Sequence, residues 1–140
     1  MISKEQKRSD FALKQLKAHF SKGENLIIKK DLANFIVGTP TMILQNGFGQ
    51  TMAFLLSKCK GKTEKKDEKK DEKKDKHFFT FTTIAMWSER INEKVPSEKS
   101  GFFEAVSKLE QTDYLKLQEE ALKMLQWLKR YARAFQEEES

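Results

Sequence analysis

The apolar run at residues 40–56 constrains the fold more than any other part of the chain. It begins with Pro40, and the fixed φ of proline suits the first turn of a helix. The run predicts one helix from Pro40 to about Lys58, with Gly47 and Gly49 in its middle. A glycine inside a helix costs about 1 kcal/mol relative to alanine. Close approach of another backbone usually offsets that cost, so we expect both glycines to be helix-packing positions.

The scarcity of helix breakers predicts the fold class. The 140-residue chain holds only two prolines and six glycines, which favours helices over a β architecture with many turns. A chain of this length fits one domain and can bury a core. The sequence therefore predicts an all-α fold, a single compact bundle of five or six helices that spans residues 1–140.

A charged repeat interrupts the bundle at residues 62–76. Its unit is Lys-Lys followed by the two acids Asp and Glu, with a period of four residues. On a helix this period would place like charges at i and i+4, where they repel. The segment also has no apolar face to bury, so it is predicted to be a disordered, flexible Lys/Asp/Glu-rich loop. An electrostatic arm that contacts RNA is the alternative interpretation.

Apolar residues at intervals of three and four predict the other helices. Ser3 is a candidate N-cap for the first helix, residues 38–40 end the second, and Thr112 or Asp113 caps the last. Residues 78–87 are rich in β-branched and aromatic side chains and could form a strand, but helical spacing of the apolar residues favours a helix. The predicted bounds are about 4–20, 26–37, 78–94, 101–109 and 112–136.

Charge and apolar content indicate the compartment and the kind of partner. The net charge is +6 and the pI about 9.3, and the chain stays basic when the charged repeat is set aside. A polyanionic partner is therefore plausible. The single cysteine rules out an intrachain disulfide, and no apolar stretch is long enough for a membrane span. We expect a cytoplasmic protein.

The residue types that carry catalysis are scarce. His19 and His77 are the only histidines, and either could act as a general base. The predicted positions, one near a helix end and one beside the charged loop, favour a structural or solvated role. Cys59 lies between two lysines, which could lower its pKa, but one cysteine and two histidines give no zinc-ligand spacing. The sequence predicts no enzyme, no metal and no cofactor.

The last helix carries cations opposite its apolar stripe. With about 100° of rotation per residue, the stripe centres on Leu128. Lys123, Arg130 and Arg133 then project from the other side. A solvated helix face is the ordinary interpretation of such cations, and contact with RNA phosphates is the functional one.

Two leucines on the same helix lie outside its main apolar stripe. Leu115 and Leu122 are seven residues apart, so they share one face. A second apolar stripe is expected on a helix that contacts another subunit, so both leucines are predicted subunit contacts. Contact with another helix of the same chain is the alternative.

Two segments resemble one protein family. Residues 40–56 are similar to its signature Pro-x-x-Ile-x-x-Asn-Gly-Leu-Gly-Gln-x-x-Ala-Phe-Leu, with Phe48 in place of the first Leu. Residues 120–132 resemble the segment Glu-Ala-Leu…Trp-Leu-Lys-Arg-Phe-Ala that closes the domain, with Tyr131 in place of Phe. The family is the small helical subunit of Cmr-type (type III-B) CRISPR RNA-guided effector complexes.

The resemblance implies a function. It implies a non-catalytic structural subunit of a ribonucleoprotein that supports antiviral RNA interference. Further copies of the chain would assemble head to tail beside the guide RNA–target RNA duplex, with the other subunits of the complex as partners. Lys129 and Arg130 match the family motif. Helical periodicity adds the cations opposite the apolar stripe of the last helix. The predicted RNA-binding set is therefore Lys123, Lys129, Arg130 and Arg133.

Composition alone leaves one alternative function, a small helical DNA-binding regulator. Such a protein needs a polar, basic recognition helix. The glycine-bearing run is instead almost wholly apolar, which counts against this alternative.

Overall fold

The computed structural model describes residues 1–59 and 75–138. These residues form six helices and one two-stranded antiparallel hairpin, which confirms the predicted helical bundle. The predicted single domain over residues 1–140 stays a prediction. The helices are α1 (Lys4–Phe20), α2 (Lys30–Asn46), α3 (Phe48–Ser57), α4 (Lys76–Ile91), α5 (Lys99–Lys108) and α6 (Gln111–Ala134), and the strands are β1 (Ser21–Lys22) and β2 (Asn25–Leu26).

The start of α1 shows why the sequence prediction was right there. The Ser3 hydroxyl accepts a hydrogen bond from the Gln6 amide, and the Gln6 side chain accepts one from the Ser3 amide. This reciprocal capping box satisfies amides that the first turn leaves without partners. At its other end, α1 runs into the hairpin, which turns at Gly23 with a φ of 63°.

The predicted helix break at residues 38–40 was wrong. α2 continues through Pro40, and the proline ring is buried inside the bundle. Proline supplies no amide to the helix, but the neighbouring Thr39 hydroxyl donates a hydrogen bond of 2.9 Å to the Phe35 carbonyl. Burial of the helix face around Pro40 keeps the helix intact, so tertiary packing overrides the local breaker signal.

The single helix predicted from Pro40 to Lys58 was also wrong, because the chain breaks at Gly47. This glycine has φ 86° and ψ 163°, and it both ends α2 and begins α3. Its amide donates to the Ile43 carbonyl at 2.8 Å, and its carbonyl accepts from the Thr51 amide at 3.1 Å. Gly47 is therefore a junction with a left-handed φ, and Gly49 lies in the first turn of α3 rather than in mid-helix.

The predicted charged loop lies outside the described residues except for its last two positions. Asp75 caps α4, since its carboxylate accepts from the amides of His77 and Phe78 at 2.8 and 3.4 Å. Lys76 is already the first residue of the helix. The loop therefore ends before the predicted residue 76, and residues 78–87 are helical, not a strand.

The core lies between α6 and the helices that pack around it. α6 packs against α1, α2 and α4, and α3 packs against α2, α4 and α5. The chain end is held by a short parallel bridge, in which the Ile28 amide donates to the Phe135 carbonyl and the Glu137 amide donates to the Ile28 carbonyl. The largest fully buried side chains include Phe11, Leu16, Ile36, Phe48, Phe81, Ile84 and Leu117.

We expect alanine at Gly47 to destabilise the protein by about 1–3 kcal/mol, because a backbone with φ 86° and ψ 163° is one that essentially only glycine adopts. The matched control is Gly38→Ala, which adds a methyl group in the interior of α2 where no atom lies within 4 Å. That control should stabilise the protein by about 1 kcal/mol through helix propensity. Urea unfolding measures both. Equal stability of Gly47→Ala and the parent chain would contradict the described junction.

Candidate nucleic-acid interface on the C-terminal helix

Three exposed cations form a line along α6. Lys116, Lys123 and Arg130 are spaced by seven residues, so they point in nearly the same direction and lie about 10 Å apart along the helix axis. We call these three residues the cation line. Sequence reasoning missed Lys116, although the seven-residue spacing from Lys123 was the signal that could have found it.

The members of the cation line differ in whether a neighbouring carboxylate already pairs with their charge. Lys123 donates to Glu119 at 2.8 Å one turn earlier, and this contact holds the pKa of the Glu119 carboxyl below its usual value. Arg130 is exposed and makes no hydrogen bond or ion pair with a described residue. Lys116 is also exposed and makes no such contact, so Lys116 and Arg130 present the least compensated charges of the line.

The other two predicted RNA-binding cations, Lys129 and Arg133, lie off the cation line. Lys129 is half-buried. Arg133 is exposed but donates hydrogen bonds of 2.8 Å to the side-chain oxygens of Asn34 and Gln136. The Arg133 guanidinium thus connects the end of α6 to α2. The four predicted cations do not share one line: Lys123 and Arg130 do, whereas Lys129 is half-buried and Arg133 is bound to Asn34 of α2.

The two predicted subunit-contact leucines have different surroundings. Leu115 is 49 % exposed and lines a groove of about 660 Å³ between α1 and α6, together with Lys4, Lys116 and Lys123. Leu122 is half-buried and packs against the core. Leu115 therefore offers apolar surface beside two members of the cation line, and Leu122 uses part of its surface within the chain.

A buried ion pair fixes α1 against α6 beneath the cation line. Arg8 is 6 % exposed and Glu120 8 % exposed, and the guanidinium donates to both carboxylate oxygens at 3.0 and 2.8 Å. The hydrogen bond from Arg8 holds the pKa of Glu120 below its usual value against the effect of burial, and the bond to Glu120 raises the pKa of Arg8. In the sequence, Arg8 and Glu120 each occupy a position within the apolar stripe of their helix. Sequence reasoning did not use this signal of a buried ion pair.

Two further side chains of α6 hold the start of α3. The Gln118 side-chain oxygen accepts from the Phe48 amide at 3.0 Å, and the Tyr114 hydroxyl accepts from the Gly49 amide at 2.8 Å. These bonds satisfy amides that the first turn of a helix leaves without partners. A Cβ at Gly49 would lie 3.3 Å from the Tyr114 hydroxyl, so the close neighbour of this glycine is a side chain rather than another helix backbone.

The residues considered for catalysis pack among aromatic rings. The His19 ring meets Phe79 edge-on with centroids 5.4 Å apart, and His77 meets Phe35 edge-on at 4.7 Å. Cys59 is buried, with its thiol donating to the Leu55 carbonyl. Within the described part of the chain, no three His, Cys, Asp or Glu side chains are grouped closely enough to hold a metal ion.

A membrane-spanning helix is also absent from residues 1–59 and 75–138, because none of their helices has both the required length and the required apolarity.

The comparison with known families decides the assignment. The model of the family described as CRISPR-associated protein (Cas_Cmr5) matches residues 4–135. The chain belongs to the Cmr5 family. This confirms the resemblance found at residues 40–56 and 120–132, and it makes the protein a subunit of a Cmr-type CRISPR complex.

A solved structure supports the fold. The chain is similar to the crystal structure of a CRISPR-associated Cmr5 family protein from Thermus thermophilus, with 20 % sequence identity and a TM-score of 0.63. The match covers 96 % of this chain and 98 % of that one. The helical arrangement of the Cmr5 fold is therefore kept at low sequence identity.

The Arg8–Glu120 pair should give a measurable pH dependence of stability. Because the pKa of folded Glu120 is lowered, the pair stabilises the fold above the ordinary carboxyl pKa, and this contribution is lost as the pH falls below about 4.5. Replacing Glu120 with Gln leaves the buried Arg8 with only the exposed Glu5 carboxylate, 3.4 Å away, as counter-charge, and should cost about 3 kcal/mol at pH 7. Urea unfolding at pH 7 and at pH 3.5 should show a smaller difference for the variant than for the parent chain.

The matched control is Asp10→Asn, which breaks an exposed pair with Lys14 on α1. That change should alter stability by no more than about 0.5 kcal/mol. If Glu120→Gln behaved like the control, the pair would not hold α1 and α6 together.

Proposed function

We propose that this Cmr5-family chain is a non-catalytic structural subunit that lies beside the guide RNA–target RNA duplex in the cytoplasm. Several copies assemble into a short filament within the Cmr complex and support antiviral RNA interference. The observation that carries the proposal is the cation line on α6, a row of exposed positive charge on a rigid helix. Other subunits carry out the cleavage chemistry.

Phosphates are the RNA groups that suit this surface. A guide–target duplex varies in sequence from one guide to the next, so a general subunit must bind it without reading bases. Phosphate contacts position a protein on nucleic acid but carry no sequence information. Lys116, Lys123 and Arg130 are exposed side chains of the type that makes such contacts. The interface is therefore electrostatic and independent of sequence.

The absence of a catalytic role is supported by the surroundings of the histidines. His19 and His77 each pack edge-on against phenylalanine rings. General acid–base catalysis needs imidazoles within hydrogen-bond reach of a substrate proton in a shared cleft. Packing against aromatic rings gives these histidines a structural role instead.

Assembly into a filament is supported by exposed apolar side chains on different elements. Head-to-tail association requires two different patches on each chain, because the contact is heterologous. Leu115 lies on α6, Phe54 on α3 and Phe135 at the chain end, and all three are exposed. Apolar residues on separate faces suit contacts to two neighbours rather than to one symmetric partner.

The RNA proposal predicts a uniform loss of binding for the double variant Lys123→Glu with Arg130→Glu. In reconstituted complexes, affinity should fall about equally for two RNAs of unrelated sequence, because the lost contacts are to phosphates. The slope of log affinity against log salt should flatten by roughly one unit for each lost contact.

The control for this experiment makes the same charge change on α1, with Lys14→Glu and Lys17→Glu, at two exposed positions off the cation line. Its salt slope should match that of the parent complex. A salt slope that stayed unchanged in the α6 variant would place the RNA elsewhere.

A further inference from the structure

A small apolar groove lies between α3 and α5, on helices that the cation line does not use. Its volume is about 460 Å³ and its lining residues are Ala53, Leu56, Ser57, Lys99 and Phe103. We call it the α3–α5 groove. The volume falls within the range of about 300–1,000 Å³ that binding pockets usually have. None of the lining side chains is acidic.

Two lysines lie near the α3–α5 groove: Lys99 lines it, and Lys58 directly follows the lining residue Ser57 at the end of α3. The Lys58 ammonium lies 5.9 Å from the centre of the Phe54 ring, and the Lys99 ammonium lies 5.7 Å from the centre of the Phe78 ring. Both lysines are exposed, and neither forms an ion pair with a carboxylate of residues 1–59 or 75–138. The nearby Glu98 carboxylate accepts hydrogen bonds from the amides of Ser100 and Gly101 and keeps its negative charge, so the two lysines leave one positive charge in excess. The rim therefore favours a negatively charged group.

Residues 135–138 carry the groups that complement the groove, an exposed aromatic ring and two negative charges. Phe135 follows α6 and is 40 % exposed, while its backbone is fixed by the hydrogen bond to the Ile28 amide. Glu137 and Glu138 follow and are exposed. An aromatic ring is thus presented at a fixed position with two carboxylates close behind it. Phe135 does not line the α3–α5 groove of its own chain.

We propose that the α3–α5 groove binds the C-terminal segment, residues 135–138, of a neighbouring copy of this chain. Phe135 enters the apolar floor beside Phe103, and Glu137 and Glu138 face Lys58 and Lys99. The inference rests on the proposed head-to-tail assembly and names the two surfaces that meet in it. A contact of this kind is heterologous and repeats along a filament, because each copy carries both the groove and the segment.

Charge reversal tests the contact at both of its sides. The groove variant carries Lys58→Glu and Lys99→Glu, and the tail variant carries Glu137→Lys and Glu138→Lys. All four positions are exposed, so thermal unfolding should show that each variant folds like the parent chain. Within each variant, groove and segment carry the same sign of charge. Neighbouring-copy association in reconstituted Cmr complexes should weaken about tenfold or more.

The decisive samples combine the two reversals. An equal mixture of groove variant and tail variant should restore association, because each groove then meets a segment of opposite charge. A single chain with all four substitutions should also associate. Native mass spectrometry of the complexes counts the copies in each sample. Failure of both combinations to recover association would overturn the inference.

A photo-crosslinker at position 135 separates this inference from the proposed function. In mixtures of isotopically light and heavy chains, crosslinks should join position 135 of one copy to residues 53–57 or 99–103 of another. Crosslinks to a different subunit, or to another surface of the neighbouring copy, would overturn the groove assignment and leave the filament proposal standing. Complexes that never contain two adjacent copies would overturn both.

Discussion

The arrangement of the bundle depends on the buried pair of Arg8 and Glu120. A guanidinium and a carboxylate that are both almost fully buried require each other, because either one alone would be a charge out of water. Their bidentate geometry also fixes orientation, since two parallel hydrogen bonds form at only one rotation of α6 against α1. That rotation determines which face of α6 reaches solvent, and hence where the cation line points.

Other side chains of α6 fix the positions of α3 and α2. Tyr114 and Gln118 hold the first turn of α3 through its amides, and Arg133 reaches Asn34 at the start of α2. A single long helix therefore makes polar contacts to three others along its length. Its remaining surface carries Lys116, Lys123 and Arg130, so the element that organises the fold is also the element that we propose meets RNA.

Local signals predicted some parts of the fold that depend on local chemistry, but the predicted cap of the last helix at Thr112 or Asp113 was wrong, since Glu110 is its N-cap. The N-cap at Ser3 and the apolar stripe of α6 both act within one helix, so sequence patterns were enough to place them. The path through Pro40 and the break at Gly47 were predicted wrongly for one reason. Both depend on what surrounds the residue: Pro40 is buried, and the amides after Gly47 find partners on α6.

The sequence likewise predicted only part of the candidate site. Helical periodicity placed Lys123 and Arg130 on one exposed face. It could not show that Arg133 is engaged by Asn34 of another helix, because that contact joins residues 99 positions apart in the chain. The α3–α5 groove and the fixed position of Phe135 also arise only from packing between separate helices, so no single segment of the sequence indicates them.

Lysine footprinting of assembled complexes tests the central claim most directly. Acetylation of each lysine is measured by mass spectrometry in complexes with and without target RNA. The account predicts that RNA protects Lys116 and Lys123 on α6, while Lys14 and Lys17 on α1 react equally in both states. Protection of the α1 lysines, with Lys116 and Lys123 unchanged, would contradict the assignment of α6 as the RNA-facing helix.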